Sequence, residues 1–224
     1  MKKSKLTLLA SCVLATCGIA DAQAATASWT DWTAMQSSTI VEGTLNVGGS
    51  SVGVTYTGDY SFAQITGGTN FWAPSAPYIS STVENAPNSN DIIALGQGGK
   101  KTINFSQTIQ DPILALVSWN GNTVDFGVPI EILSYGAGFW GNGTPILNPN
   151  GTGFYGSGEV HGVIRIPGAY SSISFVDTSE NWHGFTVGAI GLPGENEVPE
   201  PATMLLFGTG LAGLAGQRLR RKRS

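Results

Sequence analysis

The stretch GTLNVGGSSVGVTYTG, residues 43–58, contains the pattern that decides the fold. On either side of Gly48-Gly49, apolar side chains occupy every second position: Leu45, Val47, Val52, Val54 and Tyr56. A period of two puts such residues on one face of a strand. Two glycines between alternating segments favour a tight hairpin turn, because glycine readily adopts the positive φ angles of such turns. We therefore predict two antiparallel strands joined by a two-residue turn.

The same alternation continues through most of residues 25–198. Ile103 and Phe105 alternate with polar residues, whereas Ile113–Trp119 (ILALVSW) is apolar on both faces and is predicted to be a central buried strand. Turn-rich segments separate the strands, Phe71–Asn90 is predicted to be a long loop, and no stretch has the 3.6-residue period of a helix. These features predict an all-β domain, an antiparallel two-sheet sandwich of jelly-roll type.

The first 24 residues have the layout of a secretory signal peptide. Lysines at positions 2, 3 and 5 precede the apolar stretch Leu6–Ala20, and Ala22-Gln23-Ala24 is an A-x-A cleavage site. Residues 1–24 are therefore excluded from the fold, and export through the translocon and cleavage by signal peptidase are expected. The alternative is lipid attachment at Cys12 or Cys17, but the apolar run before Cys12 is short and Thr16 is larger than the residue usual before a lipidated cysteine.

Cysteine placement constrains the mature chain. The two cysteines of the sequence both lie in the signal peptide. The exported chain then has no disulfide, no thiolate metal site and no cysteine nucleophile, so its fold must depend on a hydrophobic core.

The other end of the chain combines three elements in order. Pro199-Glu200-Pro201 is followed by the apolar run Ala202–Gly216 and then by a basic cluster, which consists of Arg218, Arg220, Arg221, Lys222 and Arg223. The run of 15 residues is shorter than the ~20 that cross a bilayer comfortably, although snorkelling arginines and local thinning can compensate. The basic cluster would stay cytoplasmic. We predict a single transmembrane sorting helix over 202–216; the alternative is a frayed amphipathic tail.

Val198–Ser224 resembles the PEP-CTERM sorting signal in its triplet, its short Gly-rich apolar helix and its terminal arginines. The resemblance covers about 27 residues. It implies that exosortase, a membrane protease and transpeptidase of Gram-negative bacteria, reads residues 199–224 and removes the tail. The systems of this family usually accompany exopolysaccharide production. The resemblance therefore implies an inner-membrane intermediate, then release to the cell surface or extracellular matrix, with exopolysaccharide as a candidate partner in a biofilm.

Charge narrows the range of ligands. Residues 25–198 contain three lysines and arginines against thirteen carboxylates, a net charge of −10. Such a surface repels phosphates, which excludes nucleic acid as an expected partner. Neutral glycans, or acidic glycans bridged by divalent cations, remain compatible with it.

No catalytic motif stands out. A Gly-x-Ser-x-Gly pattern occurs at residues 49–53, but these residues belong to the predicted hairpin and not to a strand-to-helix elbow, and the two histidines, His161 and His183, do not define a zinc site. In a strand, His161 would point outward beside Arg165, and His183 would anchor a turn. Asp125, Glu131 and Glu159 are the carboxylates that a glycosidase could pair, but solvated sheet faces explain them better. We therefore expect that the protein is not an enzyme and has no metal centre.

Aromatic loop residues suggest sugar contact. Trp72, Trp119 and Trp140 each have an asparagine nearby in sequence, as Asn142 follows Trp140. Tryptophans also fill sandwich cores, and this is the competing interpretation for each of them. The segment NAPNSND, residues 85–91, offers oxygen ligands for Ca²⁺ but lacks the spacing of an EF-hand loop.

Three functional hypotheses follow. The first is a non-enzymatic component of the cell surface or extracellular matrix, which depends on the sorting signal. The second is a carbohydrate-binding, lectin-like module, which depends on the loop aromatics. The third is a secreted glycoside hydrolase, which depends on the available carboxylates alone.

Overall fold

The structure, a computed structural model, describes residues 26–190 and consists of strands joined by turns and loops. The strands in chain order are β1 (Ser28–Trp29), β2 (Asp31–Ser37), β3 (Ile40–Val47), β4 (Ser50–Thr57), β5 (Phe62–Gln64), β6 (Ile92–Leu95), β7 (Gly99–Gln110), β8 (Ile113–Trp119), β9 (Thr123–Asp125), β10 (Glu131–Tyr135), β11 (Gly143–Leu147), β12 (Gly153–Gly158), β13 (Val160–Arg165), β14 (Ala169–Asp177) and β15 (His183–Ala189). The helical element among the described residues is a short 3₁₀ turn, Ala76–Tyr78. The predicted all-β class is confirmed.

Two antiparallel sheets form the domain. One has the order β10-β13-β8-β15-β6-β5, with β1 added beside β15, and the other has the order β11-β12-β9-β14-β7-β4-β3-β2. Seven and eight strands exceed the eight in total of a jelly roll, so the likeness to that type is limited to two packed antiparallel sheets.

The glycine pair forms the predicted hairpin. Gly48 and Gly49 have φ angles of 57° and 75°, the positive values of a two-residue hairpin turn. β3 and β4 pair from Val47 opposite Ser50 onward. Their alternate residues, Leu45 and Val52 among them, are fully buried in the core between the sheets.

The centre of the seven-stranded sheet is buried on both faces. Its inner face packs on the eight-stranded sheet, and the long segment between β5 and β6 covers its outer face through Trp72, Tyr78 and Val83. Every residue of β8 is therefore buried, as the apolar run Ile113–Trp119 predicts. The predicted long loop at 71–90 is confirmed, and its role is to close this second core.

The ends of the chain lie outside the described residues. The predicted signal peptide, the sorting triplet, the transmembrane run and the basic cluster all fall there, so they stay predictions as structural elements. Between residues 26 and 190, the structure contains no helix long and apolar enough to cross a membrane.

Candidate functional site

A β-bulge at the end of β8 positions two of the side chains around the candidate site. Trp119 pairs with Val160 and Leu116 pairs with Gly162, so two residues of β8 face one residue of β13. Ser118 takes a φ of 57° there, which is uncommon for a non-glycine residue. The bulge turns the indole of Trp119 into the core and aims the Ser118 hydroxyl at the Glu159 carboxylate, to which it donates a hydrogen bond.

Next to this bulge lies a cleft of about 350 Å³, here called the aromatic cleft. Its aromatic lining consists of Phe62, Phe71, Trp140 and Trp182. Trp182 stacks on Phe62 with ring centroids 6.1 Å apart and lies 5.1 Å from Phe71. Trp140 is 57% exposed, so its indole offers an open apolar surface at the edge of the cleft.

Two carboxylates share this lining, and Asn120 joins them. The side-chain amide of Asn120 donates to Glu159 Oε1 over 2.7 Å, and its main-chain N–H donates to Glu180 Oε2 over 3.2 Å. Asn120 and Asn181 add amide groups to the wall. The cleft thus combines aromatic faces with hydrogen-bonding groups, the composition of a site for an amphipathic, hydroxyl-rich ligand.

A buried ion network supports Glu180 from behind. His183 Nδ1 lies 3.2 Å from Glu180 Oε2, within ion-pair distance but without hydrogen-bond geometry. His183 Nε2 lies 3.0 Å from Asp177 Oδ2, and Lys101 Nζ lies 2.5 Å from Asp177 Oδ1. Burial lowers the pKa of His183, but the neighbouring carboxylates of Asp177 and Glu180 outweigh burial, so the pKa is raised above its ordinary value.

The structure separates the sequence-predicted aromatic residues. Trp140 lines the aromatic cleft, whereas Trp72 and Trp119 are only 2% and 0% exposed. Trp72 packs on Tyr78, and Trp119 packs on His183 with its indole N–H bonded to the Gly184 carbonyl. Neither ring offers a face to a ligand here, which corrects the expectation that they contact sugar. Asn142 is exposed but does not line the cleft.

The expected outward position of His161 is wrong. His161 is fully buried, because the 3₁₀ turn at Ala76–Tyr78 covers its sheet face and brings the Tyr78 hydroxyl within 3.2 Å of its Nδ1. Burial lowers the pKa of His161 to about 4, although the nearby Glu159 charge partly offsets this. His161 therefore belongs to the packing behind the site.

The three carboxylates that a glycosidase could pair have different surroundings. Asp125 and Glu131 are exposed, and Glu131 pairs with Arg165 across β10 and β13. Only Glu159 lines the aromatic cleft. Its partner there is Glu180, a residue that sequence reasoning did not select. Glu180 could have been selected from the stretch SENWHGF, residues 179–185, because an acid and a tryptophan lie close together there, just before a strand.

Comparison with known proteins concerns the end of the chain. Residues 197–222 match the PEP-CTERM protein-sorting motif. The match contains the triplet 199–201, the apolar run and most of the basic cluster, and it supports an exosortase substrate that is exported to the cell surface or beyond. No curated protein and no solved structure matches the chain. The motif therefore indicates how the chain is sorted. What the sandwich binds must be inferred from the geometry of the site.

A larger cavity lies on the eight-stranded sheet. It has a volume of about 830 Å³, and Ile146, Leu147, Tyr155 and Val176 present exposed apolar side chains around it. Two of its polar side chains are already bonded, Asp125 to the Gly127 N–H and Asn148 to Thr152. It has one exposed aromatic ring, Tyr155, and is less suited than the aromatic cleft to a hydroxyl-rich ligand.

Residues 85–91, the segment considered above as a Ca²⁺ site, are hydrogen-bonded to the first strands of the sandwich. Asn85 exchanges two hydrogen bonds with the main chain of Ala27, and Asp91 Oδ1 accepts one from the Trp32 N–H. Within residues 26–190, no group of three or more His, Cys, Asp or Glu side chains is placed to hold a metal ion. Ca²⁺ binding through the amide and carbonyl oxygens of this segment stays a prediction.

Proposed function

We propose that this exosortase-sorted protein is a non-enzymatic component of the cell surface or extracellular matrix, and that its sandwich binds carbohydrate in the aromatic cleft. The single observation that carries the proposal is the exposed indole of Trp140 beside a cleft lined by both aromatic and carboxylate or amide groups. Exopolysaccharide of the surrounding biofilm is the ligand that the sorting route favours.

The physical basis is the amphipathic nature of sugar rings. One face of a pyranose consists of C–H groups that pack on an aromatic ring, while its hydroxyls need hydrogen-bond partners at the edge. Trp140 and Trp182 supply the aromatic surface, and Asn120 and Glu159 supply hydrogen-bonding groups in the same cleft. Because Asn120 and Ser118 already orient Glu159, little side-chain entropy is lost when a ligand binds.

The test is a glycan titration of the exported chain, purified in mild detergent, followed by tryptophan fluorescence. The probes are β-linked glucose, N-acetylglucosamine and glucosamine tetramers. Trp140→Ala should weaken binding at least about tenfold, which corresponds to ~1.4 kcal/mol. The matched control is Tyr155→Ala, which removes an exposed ring from the opposite sheet.

Two outcomes would overturn the proposal. Either none of the tetramers binds, or Tyr155→Ala weakens binding while Trp140→Ala does not, which would move the site to the larger cavity. The non-enzymatic part is tested by incubating the same tetramers with the chain and analysing them by mass spectrometry. Shorter products that depend on Glu159 or Glu180 would make the cleft an active site.

A further inference from the structure

Four charged groups at and behind the aromatic cleft balance one another. Glu180 faces His183, His183 faces Asp177, and Asp177 faces Lys101, so anion and cation alternate along the buried network. With a protonated His183, this row of four groups is neutral. The raised pKa of His183 agrees with that state.

Glu159 lies outside this balanced row. Its two oxygens accept hydrogen bonds from the neutral groups of Ser118 and Asn120. Of the described cations, Lys101 pairs with Asp177, Arg165 pairs with Glu131, and Lys100 lines the cavity on the other sheet. His161, the titratable ring nearest in sequence, has a pKa lowered to about 4 by burial, so it is neutral at neutral pH. Among the described residues, no cation neutralises Glu159.

The aromatic rings add a second attraction for positive charge. The face of an indole or phenyl ring carries negative potential, and a cation over it is stabilised, most strongly by tryptophan. Trp140 and Trp182 lie in the same cleft as Glu159. An ammonium group placed there would meet a carboxylate and aromatic faces at once, whereas a carboxylate or sulfate on the ligand would meet repulsion.

We propose that the aromatic cleft selects amino sugars that carry a free ammonium group, such as the de-N-acetylated hexosamine units of a cationic polysaccharide, with Glu159 as the ion-pair partner. This inference rests on the proposed carbohydrate function and narrows it to one class of ligand. The net charge of −10 over residues 25–198 attracts the same polymer at longer range.

The experiment compares three probes on the exported chain in mild detergent by isothermal titration calorimetry at pH 6. The probes are the β-1,4 tetramers of glucosamine, N-acetylglucosamine and glucose. The glucosamine tetramer should bind at least about tenfold more tightly than the other two, and its advantage should shrink as salt rises. Glu159→Gln should remove that advantage, whereas Glu180→Gln should reduce it less, because His183 faces Glu180.

The matched control is Glu131→Gln, which removes an equal charge away from the cleft and should leave the preference intact. Thermal unfolding of each variant shows whether it is folded. The salt dependence of binding is measured on the unchanged chain, so it tests the charge preference even if a variant fails to fold. If the glucose or N-acetylglucosamine tetramer binds as tightly as the amine, or if Glu159→Gln keeps the preference, the amine inference fails while carbohydrate binding stands. If none of the three binds, the proposed function fails as well.

Discussion

Asn120 Nδ2 donates a 2.7 Å hydrogen bond to Glu159 Oε1, a residue 39 positions further along the chain. Asn120 directly follows β8, and Glu159 directly precedes β13. Since β8 and β13 are paired in the seven-stranded sheet, the sheet itself brings these side chains together. The orientation of the cleft carboxylate therefore depends on strand pairing, and substitutions that disturb the sheet should affect the site.

Residues 25–198 should fold as an independent domain whose stability does not depend on reductant. The core between the two sheets is complete within the described residues, and both cysteines precede residue 25. The measurement is the melting temperature of this domain with and without dithiothreitol. A clear fall with dithiothreitol, or a chain that unfolds without residues 199–224, would refute the prediction.

Lys101→Met should destabilise this domain by about 3–5 kcal/mol. Lys101 and Asp177 are an ion pair with side chains 1% and 0% exposed, so removing the cation leaves a net negative charge in the buried network of Asp177, His183 and Glu180. Arg165→Gln is the control, because its pair with Glu131 is exposed and should contribute no more than about 1 kcal/mol. Urea unfolding measures both; equal losses in the two variants would mean that the buried pair is not the stabilising contact.

Asp91→Asn should stabilise the domain, and more so at pH 8 than at pH 4. Burial raises the pKa of Asp91 to about 6, despite a hydrogen bond from the Trp32 N–H. Because the folded pKa lies above the unfolded one, the stabilising contribution of the protonated carboxyl is present below about pH 4 and is lost as pH rises through about 6. The variant does not ionise. Melting temperatures at both pH values test this, with the exposed Asp125→Asn as control; an advantage that is the same at both would count against it.

Gly153→Ala should destabilise the domain by about 1–3 kcal/mol, the range for forced overpacking. A Cβ on Gly153 would lie 1.9 Å from the Val124 carbonyl oxygen, which belongs to the paired strand β9 and cannot easily move. Gly53→Ala on β4 is the control, since its nearest neighbour, Ser106 Oγ, would be 3.5 Å away. Chemical denaturation should show a loss for Gly153→Ala alone, and an unchanged Gly153→Ala would mean that the strands can separate there.

Glu200→Ala, or deletion of residues 218–223, should trap the unprocessed chain in the inner membrane. Residues 197–222 match the PEP-CTERM protein-sorting motif, and both changes remove a part of that motif, either the acid of the triplet or the basic cluster. Intact mass of the protein from membranes and from culture supernatant measures processing. An external form that still carries Arg218–Arg223 would show that the tail is a permanent anchor.

The sequence predicted the fold at the level of sheets because the relevant information is local. The alternation around Gly48-Gly49 requires a hairpin, and the apolar run Ile113–Trp119 requires a strand with two covered faces; both are confirmed. The sorting motif at residues 197–222 is likewise a linear pattern that can be recognised without a fold.

The site was predicted only in part, since the sequence selected Trp140 as a loop aromatic and Glu159 as a candidate carboxylate but did not select Glu180. The bulge at Ser118, where φ is positive, moves Trp119 from the outer face of the sheet, where regular alternation would place it, to the core between the two sheets. No local pattern specifies such a bulge, because its stability depends on the partner strand β13.

The sequence by itself determined the all-β class, the hairpin, the absence of cysteine after position 24 and the sorting signal. Each of these depends on neighbouring residues or on composition. Only the tertiary structure decided that Glu159 and Glu180 share a cleft with Trp140, and that His161 is buried beneath Tyr78. The physical reason is that strand pairing and loop packing join residues far apart in sequence, and burial then sets their charge and contacts.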